Sequence, residues 1–321
     1  MHILVTGGAG FIGSHMCEKL HKKKITLSIV DNLFRGRYEN ISDIIEGNSH
    51  NKFYNIDIAA STSVELLSKI ITKNKPDIII HYAAINGTTY FYDIPYDVAR
   101  INSIATLNIL QALKIAMIGD NSINPFIIFA SSSEVYCEPL SLPTSESDIT
   151  YTRIEEKRDS YAAAKLMSEF YVKLFSEEFD LEWVILRIFN VYGPRMDSTK
   201  YGQVIPEFIS RLKSGEYPLK IFGDGNHTRS FCNITDHIEL TWKLINGAKR
   251  NNVYNLGNPD EISINDLATS IMKKMNLQPK FIYLKEREGD HKRRVPDINK
   301  LANNIGPHNF ISLEKGIEML L

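Results

Sequence analysis

The sequence predicts an α/β fold: a doubly wound parallel sheet first, then a smaller, more irregular unit. Three observations carry that reading. Short apolar runs alternate with helical patterns, the runs are apolar at consecutive rather than alternate positions, and a glycine-rich turn follows the first run directly. Strands buried on both faces belong to a parallel sheet covered by helices on each side.

In chain order, residues 2–5, 26–30, 53–56, 78–81 and 126–129 read as strands. Between and after them, 13–22, 61–72, 98–116 and 161–179 carry apolar residues at helical spacing. The segment 119–125 is a turn-rich connection, and 138–160 is a long, charged, proline-bearing loop of a length usually reserved for function. From Gly193 onward, Gly-Pro, Gly-Asp-Gly and Gly-Asn-Pro breaks loosen the alternation. The expected division is 1–192 for a dinucleotide-binding domain and 193–321 for a substrate domain, with some exchange of elements between them.

The bulk numbers exclude several classes. A chain of 321 residues, 43% hydrophobic and 23% charged, buries a full core. A net charge of -1 without a basic half asks for neither nucleic acid nor an anionic membrane as partner. No apolar run reaches the ~18 residues of a membrane span. Met1 to Val5 leads straight into the glycine turn, so no signal peptide is expected and both termini belong to the fold. Cys17, Cys137 and Cys232 are odd in number and lack metal-ligand spacing, which predicts reduced thiols, a cytoplasmic setting and no metal site.

The turn Thr6-Gly7-Gly8-Ala9-Gly10-Phe11-Ile12-Gly13 sits between a strand and a helix. Gly8, Gly10 and Gly13 satisfy GxGxxG; Gly7, Gly10 and Gly13 satisfy the wider GxxGxxG. Backbone without side chains turns tightly and approaches a pyrophosphate, whose charge then rests on a helix amino terminus. Asp31 ends the next strand, where a carboxylate accepts hydrogen bonds from a ribose 2′-hydroxyl and repels a 2′-phosphate. Together these features predict a Rossmann-type fold that binds NAD rather than NADP, with Arg35 and Arg37 weakening the preference without reversing it.

Tyr161 and Lys165 lie four apart on one helix, hence on one face. A phenol of reference pKa about 10 needs its phenolate favoured by roughly 4 kcal/mol to serve as a base at neutral pH. A neighbouring ammonium and a cationic nicotinamide are expected to provide this together. Upstream, the strand 126–129 runs into Ser131-Ser132-Ser133-Glu134, which places hydroxyls beyond the carboxyl end of a strand, where open α/β sheets bind ligands.

With these residues in hand, the chain resembles, from end to end, the extended short-chain dehydrogenases: NAD-dependent nucleotide-sugar epimerases, dehydratases and decarboxylases. The matching motifs are TGGAGFIG, Asp31-Asn32, Asp57-Ile58, His81-Tyr82-Ala83-Ala84, SSSEVY, YAAAK, Arg187-Ile188-Phe189-Asn190-Val191-Tyr192-Gly193-Pro194, Gly223-Asp224-Gly225 with Thr228-Arg229-Ser230-Phe231, and Arg293-Arg294-Val295-Pro296-Asp297-Ile298. The resemblance implies a NAD site formed by Gly7, Gly10, Phe11, Ile12, Gly13, Asp31, Asn32, Asp57, Ile58, Ala83, Ala84, Asn102, Ser131, Tyr161 and Lys165. It implies Tyr161 as catalytic base, Lys165 on the nicotinamide ribose and Ser132 on the sugar 4-hydroxyl. Asn86, Ser132 and Ser133 would meet the sugar; Asn190, Arg229 and Arg287 would hold the diphosphate, which favours bidentate guanidinium donors. A homodimer through the helices 98–116 and 161–179 is implied as well.

The resemblance leaves the reaction open. Hydride leaves sugar C4 first; epimerases return it to the other face, dehydratases eliminate water across C5 and C6, and decarboxylases lose a C6 carboxylate. Glu134, two residues after Ser132, resembles the enzymes that need a group near C5. This leans the reading to a 4,6-dehydratase type of C5/C6 elimination. Alternatives are a nucleotide-sugar 4-epimerase, a glucuronate decarboxylase (favoured by the RRVPDI segment but not by the loop 86–92), a net-redox reductase and a non-catalytic NAD-binding regulator.

Overall fold

The computed structural model describes residues 1–199, 203–286 and 292–321. The first half runs β1 (His2–Thr6), α1 (Phe11–Lys22), β2 (Thr26–Asp31), α2 (Ser42–Glu46), β3 (Lys52–Asn55), α3 (Ser63–Asn74), β4 (Ile78–His81), α4 (Thr88–Asp93), α5 (Pro95–Gly119), β5 (Phe126–Ser132) and α6 (Asp159–Glu178). Then follow β6 (Trp183–Ile188), β7 (Val191–Tyr192), α7 (Val204–Lys213), β8 (Leu219–Phe222), β9 (Thr228–Ser230), β10 (Cys232–Asn233), α8 (Ile234–Gly247) and β11 (Asn252–Leu256). The chain closes with β12 (Glu261–Ser263), α9 (Ile264–Lys274), β13 (Phe281–Leu284), α10 (Asn299–Ile305) and α11 (Leu313–Glu318).

A seven-stranded parallel sheet in the order β11-β6-β5-β4-β1-β2-β3 forms the centre. The order reverses between β1 and β4, the crevice in which such sheets bind ligands. Two apolar clusters cover its faces, one with α1 and α8, the other with α3, α5 and α6. β5 runs three residues past the expected end, through Ser132, because Ser131 and Ser132 continue the pairing with Arg187 and Ile188 of β6. β6 and β11 join the sheet although the sequence reading listed neither; β11 returns from far along the chain. A separate core around Phe208, Leu219, Ile221, Leu267 and Ile271 joins α7, α9 and α11 to the β8–β13 pair.

Helix α5 departs from the expectation that no segment suits a membrane. Its 25 residues include an 18-residue window of mean hydropathy 1.4, long and apolar enough by length and composition to cross a bilayer. Half of that window is buried against the rest of the fold, with Ala105, Ile109, Leu113 and Ala116 in the cluster shared with α3 and α6. Scattered polar residues hid this stretch from a search for unbroken apolar runs. Two buried asparagines among them serve the loops beyond the strand ends. The Asn108 amide donates to the carbonyls of Ile58 (2.9 Å) and Ala60 (3.2 Å) and to Ser63 Oγ (3.1 Å). Asn102 accepts from the Ile85 amide (2.8 Å) and donates to the Ile85 carbonyl (3.0 Å).

Removing the amide in Asn108→Ala takes one buried donor from each of two backbone carbonyls and a hydroxyl, so urea unfolding should show a loss of about 1–3 kcal/mol. An unchanged midpoint would contradict the role given to this residue.

Candidate active site

A cleft of about 1270 Å³ runs along the carboxyl ends of the sheet strands and into the second core. Its first wall is the glycine turn. Gly7 adopts φ +68°, and a Cβ there would fall 2.7 Å from the Ala83 backbone. A Cβ at Gly13 would fall 2.1 Å from the Gly7 carbonyl oxygen, so only glycine lets α1 close onto the turn. Gly8 instead faces Ile29 and Cys17 in the core. The wider spacing of Gly7, Gly10 and Gly13 is therefore the one that shapes the cradle. Gly10 caps α1 without a side-chain hydrogen bond, and Phe11, Ile12 and Gly13 in its first turn line the cleft. Their amides and the helix dipole favour an anion.

Asp31 stands 8% exposed at the end of β2, its carboxylate accepting from the amides of Ala9 (3.0 Å) and Leu33 (2.8 Å). Burial raises its pKa, and the backbone hydrogen bonds from Leu33 and Ala9 oppose that rise. The aligned carboxylate faces the cleft. Asn32 holds the Phe34 amide (3.0 Å) and Asp57 the Ala59 amide (3.0 Å), and with Ile58, Ala83 and Ala84 they line the same end. A cradle that a Cβ would fill, an uncapped helix terminus and a buried carboxylate on the neighbouring strand fit a dinucleotide. Asn102 does not line the cleft. Its amide is spent behind the wall on Ile85, so it shapes the site without facing it. Arg35 pairs with Asp197 (3.1 Å), and Arg195 reaches Ser14 (3.1 Å) and Glu18 (2.5 Å), which ties the loop after β7 to the cofactor side.

At the far end stand Tyr161 and Lys165 on α6, both buried. Tyr161 stacks on Phe91 (centroids 4.9 Å apart, planes 17°). The Lys165 ammonium donates to the Ala130 carbonyl (2.7 Å) and lies 5.8 Å from the Tyr161 ring centre. The expected lowering of the phenol is not a property of the chain alone. Burial pushes the Tyr161 pKa up, the Glu134 charge adds to this, and the Ser132 hydrogen bond opposes it. Lys165 itself is lowered to about 7 by burial, against the charge of Glu169.

Ser132 caps the short turn 133–136, its hydroxyl accepting from the Glu134 amide (3.2 Å). Ser131 instead turns to Glu169 of α6 (2.5 Å), and Ser133 is buried in the wall. Asn86 and Asn190 line the cleft, Asn190 donating to the Ser230 carbonyl (3.1 Å). Arg229 lines it from β9, with Nη1 on the carbonyls of Thr228 (2.8 Å) and Lys292 (3.2 Å). Arg287 lies outside the described residues.

The sequence reading missed Arg158 and gave Arg294 no role. Both line the cleft and both are buried, at 6% and 2% exposure, beside Glu134. Arg294 forms an ion pair with Glu134 and donates to the Cys137 carbonyl (3.3 Å); Arg158 lies 3.4 Å from the same carboxylate. Arg294 arrives there because the loop 138–158 is ordered rather than free. Thr144 bridges to Pro296, its amide bonding the Val295 carbonyl (2.8 Å), while the Asp297 amide bonds Thr144 (2.7 Å). Among the described residues no cluster of side chains suits a metal.

Comparison with known proteins agrees with this geometry. Residues 3–257 match the model of the NAD dependent epimerase/dehydratase family. A putative UDP-glucose 4-epimerase of Methanocaldococcus jannaschii is 34% identical over 320 residues, covering 99% of this chain and 97% of that protein. A UDP-N-acetyl-alpha-D-glucosaminuronate decarboxylase of Bacillus cytotoxicus is 32% identical, covering 98% and 95%. The crystal structure of a UDP-glucuronic acid 4-epimerase from Bacillus cereus, in complex with UDP-glucuronic acid and NAD, superposes with a TM-score of 0.86 at 30% identity, covering 99% and 97%. The cradle at Gly7, Gly10, Gly13 and Asp31 and the family match agree on NAD as the cofactor, and the chain belongs to the NAD-dependent epimerase/dehydratase family of nucleotide-sugar enzymes.

Proposed function

We propose that the enzyme oxidises a UDP-linked uronic sugar at C4 and then releases its C6 carboxylate as carbon dioxide. The observation that carries this reading is the pair of buried guanidiniums, Arg158 and Arg294, at the Tyr161 end of the cleft. Guanidiniums bind a carboxylate through paired N–H donors, so two of them lining this end of the cleft suit a sugar that carries a C6 carboxylate better than a neutral hexose. The lean toward C5/C6 elimination is moved for the same reason: Glu134 is engaged by arginines on two sides, so it serves better as their counter-charge than as a proton acceptor at C5. The relatives named above are also epimerases and a decarboxylase rather than dehydratases.

NAD, held by the Gly7, Gly10 and Gly13 cradle and Asp31, would supply the hydride acceptor for sugar C4. Tyr161 takes the 4-hydroxyl proton, with Ser132 orienting that oxygen and Lys165 holding the ribose. The resulting 4-keto group stands β to the C6 carboxylate, so the C5–C6 bond electrons flow into an enolate at C4–O as carbon dioxide leaves. Tyr161 steadies the enolate by hydrogen bonding, a proton adds at C5, and Tyr161 then returns its proton to the C4 oxygen as C4 would regain the hydride, so that the cofactor is not consumed. Asn190, Arg229 and Arg287 would hold the diphosphate. A second reading, 4-epimerisation, is supported by the Methanocaldococcus jannaschii relative.

The three cysteines are free and buried, which suits a reducing compartment, and we place the enzyme in the cytoplasm. A homodimer is inferred from Met167, Phe170 and Leu174 on α6 and Ile115 and Ile118 on α5, all exposed on neighbouring helices.

Incubation with UDP-glucuronate, UDP-N-acetylglucosaminuronate, UDP-glucose and dTDP-glucose in deuterated water, read by mass spectrometry and proton NMR, separates the reactions. Carbon dioxide loss with deuterium at C5 is expected; a 4-epimer free of solvent label would establish the second reading, and loss of water the elimination. Tyr161→Phe should reduce turnover by at least about 100-fold, whereas a non-catalytic NAD-binding regulator would behave unchanged. Asp31→Ala should weaken NAD binding by about tenfold or more in calorimetry, since a charged acceptor is lost. Light scattering at micromolar concentration should give a dimer, and Phe170→Glu with Leu174→Lys a folded monomer.

A further inference from the structure

The three α6 side chains at positions 161, 165 and 169 lie on one face of the helix, one turn apart. Each meets the end of β5. Tyr161 bonds the Ser132 hydroxyl, Lys165 donates to the Ala130 carbonyl (2.7 Å), and Glu169 accepts from the Ser131 hydroxyl (2.5 Å). Tyr161 and Lys165 line the cleft, whereas Glu169 lies one turn behind them. Glu169 is 6% exposed, and its counter-charge comes from the neighbouring strand. Arg187, opposite Ser131 in the β5–β6 register, grips the carboxylate through Nε (3.0 Å) and Nη2 (2.8 Å). The remaining Arg187 nitrogen donates to the Tyr136 hydroxyl (3.0 Å), which donates in turn to Asn255 Oδ1 (2.8 Å) on β11.

We propose that Glu169 is a positioning residue for the reaction, which sets its carboxylate one helical turn from the Lys165 ammonium and holds the hydroxyl-bearing end of β5 in register with Tyr161, while Arg187 holds Glu169 in place. The proposal rests on the reading of Tyr161 and Lys165 as the groups that act on the sugar and cofactor. A buried lysine loses its proton readily, and burial has brought Lys165 to about 7, with Glu169 as the group that opposes the fall. The ionisable groups facing this assembly are His81 from β4, Tyr161 from α6, Tyr136 after β5, Arg187 from β6, and Glu146 and Lys300 around Tyr136 and Arg187. His81 is brought to about 3 by burial and by Lys165, so it is neutral across the working range. Glu169 is the acidic group that acts on Lys165 from within its own helix.

The test separates this role from the reaction assigned above. With 13Cε-lysine labelling and Lys165→Met to identify the signal, NMR follows the Lys165 titration in the purified protein without any sugar. Glu169→Gln should move the Lys165 pKa down by about one unit, a tenfold fall in the ammonium-to-amine ratio at a fixed pH. If the enzyme turns over, the alkaline limb of the kcat profile should move the same way with KM little changed, and Glu169→Asp should restore part of the shift. Where Glu169→Gln does not fold because Arg187 is left bare, Glu169→Gln with Arg187→Gln is compared with Arg187→Gln alone, so that only the carboxylate differs. A Lys165 titration unmoved in the folded single variant, or unmoved between Arg187→Gln and the double variant, would overturn the proposal. A shifted titration without turnover on any nucleotide-sugar would sink the assigned reaction and leave the role of Glu169 standing.

Discussion

The ion pair between Glu169 and Arg187 lies where β5, β6 and α6 converge, and the rest of the site is built outward from that junction. Both side chains are buried, the pairing is bidentate, and the leftover hydrogen-bonding positions are taken by Ser131 and Tyr136. Removing one member of such a pair leaves a bare interior charge and costs ~3–5 kcal/mol, so its geometry tolerates little drift. Because Ser131 and Arg187 face each other across a parallel ladder, the strand register sets where the carboxylate sits. The helix then sets where Lys165 and Tyr161 sit, one and two turns toward its amino terminus.

Seen from this junction, the active site is a division of charge. At the cofactor end the fold offers Asp31 and an uncapped helix terminus. At the sugar end it offers Glu134 between Arg158 and Arg294. Between them the chain holds Tyr161 in a form unfavourable to the phenolate, through burial and a nearby carboxylate.

Much of the candidate site was legible in the sequence because its spacing is local. Gly7, Gly10 and Gly13 fall within seven residues, Tyr161 and Lys165 within five, Ser132 and Glu134 within three. Such spacing carries a geometric meaning on a turn or helix whatever the rest of the chain does. Asn102 shows the limit of that logic: it lies on the helix beside the cofactor wall, yet its amide is turned to the Ile85 backbone. The helix period placed the residue, and packing chose its partner. The segment 138–160 read as a long charged loop, whereas its bridge from Thr144 to Pro296 orders it and α6 begins already at Asp159.

By itself, then, the amino-acid order determined the α/β class, the dinucleotide turn and the Ser-Tyr-Lys set, since periodicity and short spacing translate directly into backbone geometry. Only the tertiary structure decided that Arg294 meets Glu134 across 160 positions, that Arg187 meets Glu169, and that β11 completes the central sheet. Contacts of that kind leave no periodic trace in a chain. They arise when buried charges must find partners away from water, and the partner is whichever side chain the folded backbone brings within reach.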